Sequence, residues 1–344
     1  MADRNNNRWH LIQPARVSMS DRRWLRRDLR SLRMATTSVS SHGVIAIKTR
    51  LGSDGIHIFD RRSGVNILFD EIHVPVEDYS RAPRFVSFAL TNACDLDCAF
   101  CYAPKHAAKL DFDQIVRWAR QLDENGALGI GFGGGEPTLY PRFSELCATL
   151  TGTTELAISF TTHAHRMTPR LRDELVGAVH YIRVSMDGLG ITYEQIRRRS
   201  FARFLQQVQI VSDTCAFGVN YVVNDATVAQ LDEAANLVFG LGATEMLLLP
   251  EVSNRGLRAS TQKVLLDWVR ANSGQLRLAI SEIGVTDGIP IADPFVAEKG
   301  TKAYIHVNAS GKVSRTSYNQ DGATTIKTDD GILTAIANYE RESP

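Results

Sequence analysis

Three thiols fall within eight consecutive residues, Cys94-Asp95-Leu96-Asp97-Cys98-Ala99-Phe100-Cys101. Thiolates packed so closely along one segment suit a soft metal or an iron–sulfur cluster, and they suit a reducing compartment better than a disulfide framework. The other two cysteines, Cys147 and Cys215, stand alone. A four-iron cluster ordinarily takes four cysteine ligands, so three leave one iron with an open position, able to bind a reactant rather than only pass electrons. A structural zinc site completed by His106 is the other chemistry open to this set.

Further segments carry groups suited to a charged ligand. Gly133-Gly134-Gly135-Glu136-Pro137 combines glycines, which let backbone approach a ligand closely, with a carboxylate that can pair with an ammonium. Val184-Ser185-Met186-Asp187-Gly188 offers a hydroxyl and a carboxylate, suited to ribose hydroxyls or a charged amino-acid moiety. Thr161-Thr162-His163-Ala164 brings His163 and His165 close by, either as substrate contacts or as caps of the next helix.

These groups need a scaffold that brings them to one face. From Arg84 onward strands are expected at 85–91, 128–133, 156–162, 181–187, 216–223 and 245–249, with amphipathic helices between them. Helix signals include the stop at Asn125-Gly126, the start at Thr168-Pro169 and a capping box, Thr227-x-x-Gln230. Six β/α units in series predict an α/β fold, a partial (β/α)6 TIM-like barrel with right-handed crossovers. The motifs above follow strands, at the end where barrels carry their chemistry. Alternation along the strands puts bulky apolar residues in one register. The other holds Ser87, Ala89, Thr91, Gly129, Gly131, Gly133, Ser159, Thr161, His163, Arg183, Ser185, Asp187, Gly218, Asn220 and Val222. An inner face so small and polar predicts a lumen that holds something polar.

Residues 1–83 read as an arginine-rich helix near 20–34 followed by a small β-meander, with strands at Val44–Arg50, Ile56–Asp60, Val65–Phe69 and Ile72–Val76. The helix reads as a solvated face more readily than as a phosphate or leader-peptide contact. Residues 84–255 form the barrel. Residues 256–344 form a short α+β extension with strands at Tyr304–Val307 and Val313–Tyr318 and a helix near Ile332–Tyr339. A formal charge of +1 with 22% charged residues gives no general pull toward nucleic acid or an anionic membrane. The polar start and the lack of a long apolar run predict a cytoplasmic protein.

CxxxCxxC with an aromatic residue before its last cysteine, and GGEP after the second strand, resemble the signatures of the radical SAM superfamily. The resemblance covers roughly residues 84–255. It implies that Cys94, Cys98 and Cys101 hold one [4Fe–4S] cluster whose open iron binds S-adenosylmethionine (SAM). It also implies SAM contacts at Gly134, Gly135, Glu136, Pro137, Ser185, Asp187 and Tyr102, and backbone contacts to adenine near Leu247-Leu248-Leu249-Pro250. The implied activity is reductive cleavage of SAM to a 5′-deoxyadenosyl radical that abstracts hydrogen from a substrate, with an electron donor such as flavodoxin or ferredoxin. The extension resembles the auxiliary-cluster scaffold of peptide-modifying relatives without its cysteines, and the two remaining cysteines cannot supply a second cluster. The preferred substrate is therefore a peptide or protein, matured by cross-linking or another oxidative change. The alternative is a small metabolite such as a sugar, a nucleotide or an amino-acid derivative. No catalytic residue is assigned; His163, Arg183 and Tyr193 are the candidates, the last on a helix with Arg197, Arg198 and Arg199 that reads as solvated. Cys147 should be core and Cys215 should lie at the far end of the barrel, so neither suits a hydrogen donor.

Overall fold

The computed structural model describes residues 47–251, 257–280, 289, 294–318, 322–327 and 331–342. The arginine-rich segment at 20–34 lies outside the described residues, as does the start of the first expected strand.

Three antiparallel strands come first, β1 (Ile47–Gly52), β2 (Gly55–Asp60) and β3 (Asn66–Phe69), in the order β1-β2-β3. The β1–β2 turn closes at Gly55, whose φ of +110° and tight packing on Phe69 backbone leave no room for a side chain. The strand expected at Ile72–Val76 does not form. Pro75 has no N–H for a ladder, and the chain runs into a single 3₁₀ turn at Val76–Asp78. Buried cations fasten this sheet to the barrel. Lys48 pairs with Asp123. Arg50 donates to Glu298 Oε2 at 2.9 Å and to the carbonyls of Ala82 and Gly126 at 2.8 and 2.9 Å. Such saturation is what makes a buried guanidinium tolerable.

The barrel follows as β4 (Phe85–Thr91), α1 (Phe112–Glu124), β5 (Gly129–Gly134), α2 (Phe143–Thr153), β6 (Ala157–Thr162), α3 (Pro169–Leu175), β7 (Tyr181–Met186), α4 (Gly190–Arg197), α5 (Phe201–Ser212), β8 (Phe217–Val223), α6 (Leu231–Gly240) and β9 (Met246–Pro250). After it come α7 (Ala259–Asn272), β10 (Leu278–Ile280), β11 (Tyr304–Val307), β12 (Lys312–Ser314), β13 (Thr324–Thr325) and α8 (Gly331–Glu342). The strands β4 to β10 pair in parallel in sequence order, giving the expected α/β partial barrel. The extension is continuous with it, because β11 pairs in parallel with β4 and carries β12 and β13 beyond. The strand expected at Val313–Tyr318 is cut to Lys312–Ser314, where the Ser314 hydroxyl turns back to the Thr316 carbonyl.

Helix starts follow their chemistry at α5, where Ser200 accepts from Arg203 N–H, and in two further cases. Asp111 accepts from Gln114 N–H, and Thr168 from Leu171 N–H with Pro169 at the first helical position. The Thr227–Gln230 capping box is not made. Thr227 is buried with its hydroxyl on the Val222 carbonyl (2.7 Å), and Gln230 Oε1 accepts from Leu189 N–H (3.0 Å), tying the loop after β7.

Strand alternation sorts the barrel as the pattern requires. Phe88, Leu90, Ile130, Phe132, Ile158, Phe160, Ile182, Val184, Phe217, Val219 and Tyr221 are at most 2% exposed and pack in the core under the helices. Each contributes about 1.5–3 kcal/mol by burial. The opposite register, Ser87, Gly131, Ser159, Thr161, Arg183, Ser185 and Asn220, is half-buried along the lumen. At Gly133 an added Cβ would meet nothing within 4 Å. Arg183 pairs with Glu245 at the start of β9, close to Tyr181 and Thr244, whose hydroxyls lie 3.0 Å apart.

Candidate active site

The loop after β4 carries the three thiols; none is in a disulfide, and Cys94 and Cys101 are exposed while Cys98 is buried. Short bonds shape it. Asn92 N–H meets the Ala108 carbonyl (3.0 Å), Ala93 N–H meets Thr91 Oγ1 (3.1 Å), and Cys101 N–H meets the Cys98 carbonyl (3.0 Å). The glycine turn after β5 packs directly on this loop. Gly135 N–H donates to the Thr91 carbonyl (2.7 Å) and Glu136 N–H to that of Ala93 (2.8 Å). Gly134 takes φ +115°, and a Cβ on Gly135 would come 2.2 Å from the Ala93 oxygen.

Glu136 is 1% exposed and turned inward. Its Oε1 accepts from Thr138 N–H (3.2 Å), the Thr138 hydroxyl (2.7 Å) and the Thr162 hydroxyl (2.8 Å); its Oε2 accepts from His163 N–H (3.0 Å). His163 Nδ1 in turn accepts from His165 N–H at 3.1 Å, so the ring's proton sits on Nε2. That N–H points at Asp95 Oδ1 (2.8 Å) and lies 3.3 Å from Glu136 Oε2. Burial raises the Asp95 carboxyl, but the hydrogen bond from His163 and the charge of Arg166 outweigh it and hold the group below the usual range. The chain of bonds continues inward. Gln207 Nε2 donates to the His165 carbonyl, so its Oε1 accepts from His165 Nδ1 (3.1 Å) and His165 Nε2 accepts from the Tyr193 hydroxyl (2.8 Å). Burial first, then the neighbouring Arg199 and Arg197 charges, holds His165 down at about 4, so the ring is neutral.

After β7, Asp187 is fully buried, accepts from Val222 N–H (3.3 Å) and pairs with Arg197. Arg197 also points Nη1 at Cys98 Sγ (3.5 Å), and its Nε has no hydrogen-bond partner among the described residues. A carboxylate and a guanidinium buried together at the mouth of a polar lumen are aligned with the thiol loop, not with solvent. The helix that reads as solvated in sequence is so at Ile191, Glu194, Arg198 and Arg199, but not at Tyr193 and Arg197. Tyr193 is fully buried and Arg197 retains 10% of its side-chain exposure, because Asp187 needs a counter-charge and His165 a donor.

The family model described as Radical SAM superfamily matches residues 88–238, a span that contains the three thiols, the glycine turn and Asp187. Within that span the chain matches the radical SAM superfamily, as its motifs lead one to expect. It is 28% identical over 214 residues to mycofactocin maturase MftC of Mycobacterium tuberculosis (strain ATCC 25618 / H37Rv), covering 56% of this chain and 54% of that protein. It is 29% identical over 153 residues to the sporulation killing factor maturation protein SkfB of Bacillus subtilis (strain 168), covering 42% of this chain and 36% of that one. The match thus spans about half the length of MftC and less of SkfB. In fold it is similar to Streptococcus suis SuiB bound to precursor peptide SuiA, with a TM-score of 0.63 at 14% identity over 84% of this chain and 87% of that one.

The residues present fit the radical SAM cofactors, one [4Fe–4S] cluster and SAM. The donors are three free thiols in one loop, the open volume at Gly133 gives a ligand room, and Arg197 keeps an unsatisfied buried N–H beside Cys98. They do not fit zinc. Among the described residues the one group of potential ligands within 4.8 Å is Cys94, Asp95 and His163, but His163 Nε2 carries the proton and donates, and His106 belongs to no such group.

Structure brings together Cys94, Cys98, Cys101, Gly134, Gly135, Glu136, Pro137, Asp187 and His163. Ser185 lies below them on the lumen face of β7, and Tyr102 packs at a tilt against Tyr318 (centroids 4.2 Å apart) with its hydroxyl 3.1 Å from that of Ser317. Arg183 stands apart with Glu245. Sequence reasoning missed Asp95 as a site residue, and for Arg197 it preferred a solvated helix to a place lining the entrance. It also missed Tyr304 and His306, which β11 places 2.5 and 2.7 Å from the Ser87 hydroxyl.

Proposed function

We propose that this chain is a radical SAM maturase that abstracts hydrogen from a peptide. The observation that carries this is the thiol loop clamped onto the glycine turn at the mouth of a lumen walled by small and polar side chains. When bound, the cluster and SAM supply a carbon-centred radical able to break a C–H bond. The chain's own share is positional. Cys94, Cys98 and Cys101 would each ligate one iron. Gly133 and Gly134 let the methionyl part approach the backbone, and Asp187 with Arg197 presents a fixed charge pair beside Cys98. The lumen holds the target C–H bond and keeps water away. The maturase and maturation names of MftC and SkfB, and the precursor peptide bound to SuiB, support a peptide substrate, and the places of the two remaining cysteines argue against epimerisation. Cys147 is fully buried and pushed far up by burial, and burial pushes Cys215 up to about 12. A low-potential one-electron carrier would complete the system. No helix among the described residues is long and apolar enough to cross a membrane.

The test is anaerobic reconstitution followed by metal analysis and chromatography for 5′-deoxyadenosine, with short peptides encoded beside the gene as substrates. About four irons per chain, reductant-dependent 5′-deoxyadenosine and a mass change on one peptide are expected. A single zinc without iron, or no 5′-deoxyadenosine under reducing conditions, refutes the radical chemistry. 5′-Deoxyadenosine coupled only to a small metabolite refutes the peptide.

A further inference from the structure

Arg197 is the last residue of α4 and meets the thiol loop at two points. Its Nη1 lies 3.5 Å from Cys98 Sγ, and its guanidinium carbon stands 5.8 Å from the centre of the Phe100 ring. Cys98 is buried, so salt screens this contact little. One turn earlier on the same face of α4, Tyr193 is fully buried and gives its hydroxyl to His165 Nε2 at 2.8 Å. That bond fixes the helix end from which Arg197 reaches the loop. The other terminal nitrogen of Arg197 pairs with Asp187, itself fully buried. The cation at Cys98 therefore has a carboxylate behind it, and both are held out of water. Neutralising Asp187 alone requires neither the thiol nor the ring.

Reduction adds one negative charge to an iron–sulfur cluster, and hydrogen bonds to the sulfurs and nearby charge are what move its potential. A cationic donor on a ligand sulfur favours the reduced state, and a carboxylate beside it works the other way. We propose that Arg197 sets the reduction potential of the [4Fe–4S] cluster through Cys98, raising it, with Asp187 as the counterweight that limits the rise. The proposal rests on the radical reading above. One electron is taken up and no atom changes hands; the charge pair alters only how readily that happens.

The test is a redox titration followed by electron paramagnetic resonance on the full-length chain, reconstituted anaerobically, for wild type, Arg197→Gln, Arg197→Lys and Asp187→Asn. SAM is left out, so a change in SAM affinity cannot pass for a change in potential. Glutamine removes the charge but keeps an N–H for Asp187, and iron content with circular dichroism checks each variant. At the wild-type midpoint, Arg197→Gln should shift the reduced-to-oxidised ratio about tenfold toward oxidised, about 59 mV lower for a one-electron couple. Asp187→Asn should shift it toward reduced, and Arg197→Lys should stay near wild type. Should Arg197→Gln not fold, the upward shift in Asp187→Asn carries the test by itself. A purely structural ion pair gives no shifts of opposite sign. Potentials that coincide in wild type, Arg197→Gln and Asp187→Asn overturn the proposal, as do shifts of the same sign, and both leave the radical reading standing. Wild type that takes up no reducible iron refutes that reading and this proposal together.

Discussion

Replacing Glu136 by glutamine asks whether this carboxylate serves the loop or a ligand. Each of its two oxygens accepts one backbone N–H, Oε1 from Thr138 at 3.2 Å and Oε2 from His163 at 3.0 Å. A glutamine can keep only one of them. Whichever way the amide turns, its NH₂ faces a backbone N–H in a site that is 1% exposed. The hydroxyls of Thr138 and Thr162 can rotate to accept; a backbone N–H cannot. One stranded buried donor costs about 1–3 kcal/mol, and losing the charge from the remaining bonds adds about 1–2, so the apo chain should lose about 2–5 kcal/mol. With an unfolding entropy of about 2.1 cal/mol/K per residue over roughly 270 described residues, that is a fall in Tm of about 4–9 °C. Differential scanning fluorimetry of cluster-free protein reads it without any cofactor. If Glu136→Gln melts with wild type and only SAM affinity falls, the carboxylate faces the ligand, and the inward network drawn here is wrong.

Other consequences follow from neighbouring contacts. Arg197→Met strands the fully buried Asp187 and should cost about 3–5 kcal/mol in urea unfolding; Asp187→Asn added to Arg197→Met should recover part of that, and a purely additive double variant would contradict the pairing. Gly135→Ala drives a Cβ to 2.2 Å from the Ala93 oxygen, so the thiol loop must shift and iron uptake on reconstitution should drop; full iron content in that variant would show the packing is looser than described. His57, His165, His180 and His306 are each held down at about 4, with burial the largest cause. In the unfolded chain these rings titrate near about 6.5, so between there and about 4 the unfolded state binds protons that the folded state refuses. Stability should be full above about pH 6.5 and fall as the pH drops, by up to about 1.4 kcal/mol per pH unit for each ring; unfolding curves that stay flat from pH 7.5 to 5 would refute this.

The sequence by itself determined what depends on near neighbours along the chain. The barrel strands emerge within a residue or so of their expected bounds, because a two-residue alternation of bulky and small side chains is written locally. The thiol spacing and the glycine turn are likewise local, and they name the cofactors before any coordinates exist. Tertiary structure decided every pairing of buried charge. Glu136 answers to Thr162 and His163 from the next strand, Asp187 draws Arg197 out of an apparently solvated helix, and Gln230 leaves its expected cap for the loop after β7. It also placed β11 against β4, joining the extension to the wall of the lumen. A buried carboxylate must find donors wherever the fold supplies them, and those donors lie at sequence separations that no local pattern encodes.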